Sequence, residues 1–373
     1  MAHVNGHAGH NGSGNSSSPF LLRDSPAEPA RDIVSPQQQD FPQESRQEAS
    51  GLPQPGEWDR VSRLALKHLG RCTSLEPKVL QGNDPDAIHD LRVATRRLQQ
   101  VIDLIYPSPR SGVIPKLYRG LKRCRRSLSE VRNYDVLLER VDAALSRKRT
   151  ARREAWETIG EYLKASRSAR LEKSLRKLAK ANLSAIYVRL KEHLPSGENA
   201  DPASVHSAHN GVGQPLTGEQ FYERIGEALQ TVWTDLEQEI AQSRHEHSPA
   251  VLHRTRIAAK RVRYLIEVIQ AFDVPGSKEA LIWLRSLQTQ LGDWHDLVVF
   301  EEAVIGMIAD PAFLRDRLEM AFQIERLIMR NRAAKAKREK KYFEMTRNNM
   351  GFIKTREWVR RMVDSPAALF AES

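Results

Sequence analysis

Two stretches of the chain, "HDLRVATRRLQQVI" from His89 and "HRTRIAAKRVRYLI" from His253, each set a histidine ahead of a ladder of arginine and lysine. Guanidinium groups present paired N–H donors that match phosphate or carboxylate oxygens, and lysine adds a point charge. Imidazole adds a donor that turns cationic near its ordinary pKa of about 6.5, a form that a nearby anion favours. The chemistry written in these residue types is the holding of a polyanion.

Helical spacing sharpens this reading. At about 100° per residue, Arg92, Arg96, Gln99 and Gln100 fall within about 80° of His89, while Leu91, Ala94, Leu98, Val101, Ile102 and Ile105 lie opposite. Arg256, Lys260, Arg263 and Tyr264 stand in the same relation to His253, opposite Ala258, Val262, Leu265, Ile266 and Ile269. Both histidines therefore point away from the core, which argues against the ordinary reading of a satisfied core imidazole. Acidic partners at i+4 are scarce on these faces: Asp90 and Asp103 lie at the edges of the first, and Glu267 is nearest in the second. Like charges stacked within two turns repel one another, and an anionic ligand would offset that repulsion.

The segment "PKLYRGLKRCRRSLSEVR" supplies further cations at steps of three and four, Lys116, Arg119, Arg123 and Arg126, with Lys122 and Arg125 beside them. Basic residues on the stretches 164–191 and 326–347 fit a solvated helix face at least as well as a binding role.

The elements that must position these groups read as helices throughout. Apolar residues make up 40% and aromatics 6% of the 373 residues, a helical rather than a sandwich composition. Trp58, Val61, Leu64, Ala65 and Leu69 open a 3.6-residue period, and blocks follow near 86–105, 113–130, 133–148, 151–165 and 168–193. Phe221, Ile225, Leu229, Val232, Trp233, Leu236 and Ile240 restart the pattern, with blocks near 250–271, 276–292, 294–309, 312–345 and 349–363. "LSEVRNY" from Leu128 matches "LGDWHDL" from Leu291 in the same order as the histidine stretches match each other. The second half is thus expected to repeat the first, an internal duplication of roughly 160 residues.

Residues 1–56, rich in Gly, Ser, Pro, Gln and Asn, read as a disordered tail, and 195–218 as a flexible linker between a first half, 57–194, and a second, 219–365. His3, His7 and His10 read as solvated residues of the tail. Lys and Arg number 58 against 47 Asp and Glu, a formal net charge of +11. The tail alone is acidic, so the folded part is more basic than the whole. Such an excess speaks to anionic partners. Cys72 and Cys124 share no zinc or redox spacing, which fits a reducing cytoplasmic setting. No apolar run approaches membrane-spanning length, and the first residues lack signal-peptide character. No membrane association is expected.

His89, Leu91, Arg92, Val93, Arg96, Arg97 and Leu98, together with His253, Arg256, Ile257, Lys260, Arg261, Arg263 and Tyr264, resemble the motifs of the CHAD family, named for a conserved-histidine α-helical domain. "LSEVRNYDVLLERV" and "LGDWHDLVVFEEAV" resemble the segments that follow the family's basic helices, and the likeness covers about residues 57–365. The resemblance implies an all-α fold of two pseudo-symmetric helical bundles whose basic faces share a central cavity. It also implies binding of inorganic polyphosphate and association with polyphosphate granules in bacteria; neither catalysis nor a cofactor is expected. Asn133, Gln99 and His295 depart from the family's usual residues, so weaker holding by the first half is expected.

Two rival classes follow from the residues. His89–Asp90 and His295–Asp296, with His68 upstream, could belong to a His-Asp metal phosphohydrolase, but Arg254 stands in the second copy where Asp90 stands in the first, and Asp90 lies about 100° round its helix from the histidine. The Glu-x-Glu-x-Lys signature of tunnel triphosphatases is missing at "EQEIA", and no P-loop, GxSxG or zinc-spaced cluster occurs. Nucleic-acid binding is the stronger rival, since a basic helical protein binds DNA or RNA at low salt. Against it, only Tyr264 interleaves an aromatic ring with the ladder, where single-strand binding uses stacking platforms.

Overall fold

A computed structural model describes residues 57–82, 84–106, 110, 112–194, 218–347 and 349–372. Residues 1–56 and 195–217, read above as tail and linker, lie outside them. Thirteen helices account for the described chain, with no strand among the described residues. The first six are α1 (Glu57–Leu80), α2 (Pro85–Ile105), α3 (Ile114–Ser127), α4 (Ser129–Leu145), α5 (Arg153–Ala179) and α6 (Leu183–His193). The rest are α7 (Gly218–His245), α8 (Pro249–Gln270), α9 (Ser277–Ile308), α10 (Pro311–Asp316), α11 (Leu318–Arg347), α12 (Met350–Asp364) and α13 (Pro366–Ala371).

The two histidine helices start alike. Asp84 caps α2 by accepting from the amides of Asp86 and Ala87, and Ser248 caps α8 by accepting from Val251. Each cap is followed by proline at the first helical position, where its missing N–H leaves no bond unmade. His89 and His253 therefore both stand five residues past a cap, on the same face of the second turn.

The halves differ downstream. The first breaks at Leu128 (φ −91°, ψ 0°), which separates α3 from α4. In the second, α9 runs unbroken for 32 residues, joining the blocks expected separately at 276–292 and 294–309. Apolar packing along Leu284, Leu287, Leu291, Trp294 and Leu297, all buried, carries the helix through Gly292.

Neither half keeps a core to itself. The larger core gathers Leu69, Leu91 and Leu98 of the first half with Leu236, Leu265 and Leu287 of the second. The smaller one packs Leu137, Val141, Ile159 and Leu163 of the α4–α5 hairpin against Phe300, Val304, Ile324 and Ile328 of α9 and α11. Each buried aliphatic side chain of this kind contributes roughly 1.5–3 kcal/mol of transfer free energy, so the apolar contacts between halves fix how the polar faces meet.

Candidate functional site

The inner faces of α2 and α8 confront each other across the boundary between the halves. Arg96 donates to the Tyr264 hydroxyl at 3.3 Å, with its guanidinium 5.7 Å from the ring centroid, and Arg263 lies 4.9 Å over the same ring. Tyr264 is itself only 4% exposed. It thus serves the cluster as a wall and an acceptor, where the wheel placed it on an open face.

Arg92 carries a structural duty besides its charge. Its Nη1 donates to the Arg125 carbonyl at 2.6 Å and to Ser129 Oγ at 2.7 Å, bridging the break between α3 and α4. The unbroken α9 offers Arg256 no such carbonyl, and the Arg256 Nε is buried with no partner among the described residues.

Electrostatics show how crowded the cations are. Burial, then Arg96, Arg125 and Arg132, bring Arg92 down to about 10. Burial, with Arg256, Arg96 and Arg263 after it, holds Lys260 well below the ordinary lysine range. Arg125 and Arg256 are lowered by burial and by Arg96 as well. Cations of α2, α3, α4 and α8 therefore converge on one region, and Arg92, Arg96, Arg125, Arg256 and Lys260 have no carboxylate within ion-pair distance among the described residues.

The imidazoles edge this region. His89 is exposed, and His253 is half-buried with its ring centroid 5.0 Å from that of His295. Protein packed around part of its ring, followed by Arg132, lowers His89 although its outer edge is exposed, and burial, then Arg256 and Lys260, lowers His253. His295 falls to about 3, through burial, Arg256, His253 and Lys260. In the ligand-free protein these rings are neutral at pH 7, because the same cations that would attract an anion oppose a further positive charge.

Other sequence candidates are held by carboxylates or stand on the outer face of α3, with Arg263 bordering the convergence. Arg97 reaches Glu267 of α8 at 3.0 Å and lines a separate hollow with His68 and Arg285. Arg263 shares that carboxylate at 3.4 Å, and Arg261 pairs with Asp235 at 3.2 Å. These three are offset, not free, because Glu267 and Asp235 face them from positions that a single-helix wheel underrates or does not see. On α3, Arg119, Arg123 and Arg126 are exposed and Lys122 is half-buried; Arg119 donates to the Pro115 carbonyl of its own helix.

Four residues of the region escaped the sequence candidates: Arg125, Arg132, Arg140 and Asp296. Three of them had a signal: Arg125 stands beside the α3 cations already noted in the sequence, and Arg132 and Asp296 lie in the paired segments. Arg132 and His295 occupy the same place in the paired segments "LSEVRNY" and "LGDWHDL", and Asp296 follows directly, so that match marked two sides of the cationic region. Among the described residues no three His, Cys, Asp or Glu side chains are placed to hold a metal ion.

The chain is, as a class, an all-helical domain in which cations from both halves converge on one region. Its residues 63–304 match the family described as the CHAD domain, and the chain belongs to that family. Among solved structures it is similar to the CHAD domain from the plant Ricinus communis, with 18% identity and TM-score 0.56 over 86% of this chain and 95% of that one. It is also similar to PptA from Streptomyces chartreusis, with 15% identity and TM-score 0.54 over 79% of this chain and the whole of that one. At these identities the likeness speaks for the fold. No curated protein sequence matches the chain.

Proposed function

We propose that the protein binds inorganic polyphosphate, without catalysis, in the cleft between α2 and α8, and that this attaches it to polyphosphate granules in the cytoplasm. The observation that carries the reading is the meeting of Arg92, Arg96 and Arg125 with Arg256 and Lys260 from the other half, none of them in an ion pair with a carboxylate of the described residues. Membership of the CHAD family supports it, since polyphosphate binding is general there. A phosphate polymer offers closely spaced charge with no base to read, and suits a row of guanidinium donors lacking stacking platforms. His89, His253 and His295 add donors, and become cations once the ligand's charge is present.

Binding of nucleic acid is the alternative from another class, and it too would draw on the positive charge. Competition separates them. Duplex DNA at equal phosphate concentration is expected to leave bound long-chain polyphosphate in place. Displacement by DNA would overturn the assignment. Incubation with polyphosphate and Mg²⁺ is expected to leave its length unchanged, and shortening or release of orthophosphate would contradict the non-catalytic reading.

A further inference from the structure

Asp296 stands among the cations of the cleft, yet its carboxylate closes no hydrogen bond or ion pair with any described residue. Arg256 and Lys260 face it from α8, and Arg132 and Arg140 from α4. On its own helix Asp293 precedes it by one turn and His295 by one residue, and Asp293 is held by Arg338 of α11 at 3.1 Å. Arg140 is fixed beside it: its Nη2 donates to Asn331 at 3.1 Å, Asn331 donates to the Leu297 carbonyl at 2.8 Å, and the guanidinium lies 4.9 Å over the Phe300 ring. The Nε atoms of Arg140 and Arg256 are both buried without a partner among the described residues. Unused donors and an unused carboxylate thus lie in the same region of the interior.

We infer that Asp296 is the resident counter-ion of the cleft: it offsets the α4 and α8 cations in the free protein, repels every entering phosphate, and so favours long chains over short phosphates. The inference rests on the polyphosphate reading. A short anion reaches few cations and meets the full repulsion of the carboxylate. A polymer meets the same repulsion once, while touching cations of both halves. Burial already lifts the Asp296 carboxyl above the usual range, with Arg256 pulling it back. A bound phosphate chain opposes its ionisation further, so binding takes up a proton and tightens as pH falls.

The test compares the full chain with Asp296→Asn and Asp296→Glu, titrated with long-chain polyphosphate and with pyrophosphate at pH 7.5. The Asn variant is expected to bind polyphosphate about tenfold more tightly, as removal of one close like charge implies, and to gain measurable affinity for pyrophosphate. The Glu variant is expected to stay near wild type. Equal or weaker polyphosphate binding by a folded Asn variant overturns the inference. Should that variant not fold, calorimetry at several pH values from 4 to 6 in two buffers of different protonation enthalpy decides, using the chain with His89, His253 and His295 all changed to Gln. Proton uptake on binding is expected, and its absence overturns the inference. A wild-type chain that fails to bind polyphosphate at all sinks the functional reading instead.

Discussion

Arg96 on α2 and Tyr264 on α8, 168 residues apart in sequence, meet in a hydrogen bond of 3.3 Å. The bond joins the two histidine helices where their cations are most concentrated. Tyr264→Phe removes the acceptor. The free protein is expected to lose about 1 kcal/mol of stability, and polyphosphate affinity to fall by less than about tenfold, because the charge of Arg96 remains. Arg96→Ala, which removes charge and donors together, is expected to weaken binding more. Urea denaturation and titration of both variants check the order.

Lys260 is a half-buried cation crowded by Arg256, Arg96 and Arg263 that closes no ion pair with any described residue, so its replacement by an apolar residue of similar length should relieve the ligand-free fold. Lys260→Met is expected to stabilise the free protein by about 1–2 kcal/mol while lowering polyphosphate affinity. Denaturation midpoints with and without polyphosphate show whether stability and affinity move in opposite directions.

Glu267 ties Arg97 of the first half and Arg263 of the second to a single carboxylate, itself 15% exposed. Glu267→Gln leaves both guanidiniums without charge compensation and is expected to destabilise the chain by about 1–3 kcal/mol. Thermal unfolding would show the loss, and an unchanged midpoint would mean that the pair contributes nothing to joining the halves.

His295 is lowered to about 3 and His68 to about 4 in the folded chain, against about 6.5 unfolded. The unfolded chain then binds more protons between these limits, so the stability these rings contribute is full above pH 6.5 and is lost as pH falls towards 4 and 3. Without ligand, the melting temperature is expected to drop between pH 7.5 and pH 5. Saturating polyphosphate, which favours the charged imidazoles of the cleft, is expected to flatten that drop. A steeper fall with ligand would contradict the placement of His253 and His295 at the site.

The helical faces were legible because an amphipathic helix writes its buried side at a fixed period. Leu91, Leu98, Val262 and Leu265 are buried as their spacing predicts, and His89 and His253 point away from them. Spacing along one helix is silent about partners on another. It therefore placed Arg97, Arg261 and Arg263 with the free cations, and could not show Arg125, Arg132 and Arg140 closing on the cleft from α3 and α4. The break near Leu128 was legible within a few residues, as separate blocks at 113–130 and 133–148, whereas the continuity of α9 was hidden because it depends on tertiary packing. The likeness between the two halves remains a reading of the sequence, joined here by the matching caps of α2 and α8.

The most direct measurement is titration of the full chain with long-chain polyphosphate at several salt concentrations, beside a variant carrying Arg96→Ala, Arg256→Ala and Lys260→Ala with its helicity checked by circular dichroism. The logarithm of wild-type affinity is expected to fall linearly with the logarithm of salt concentration, as counterions released on binding are taken back. The variant should lose most of the affinity and show a shallower slope. A folded variant that binds as tightly as wild type, with the same slope, would place the anion site outside the cleft.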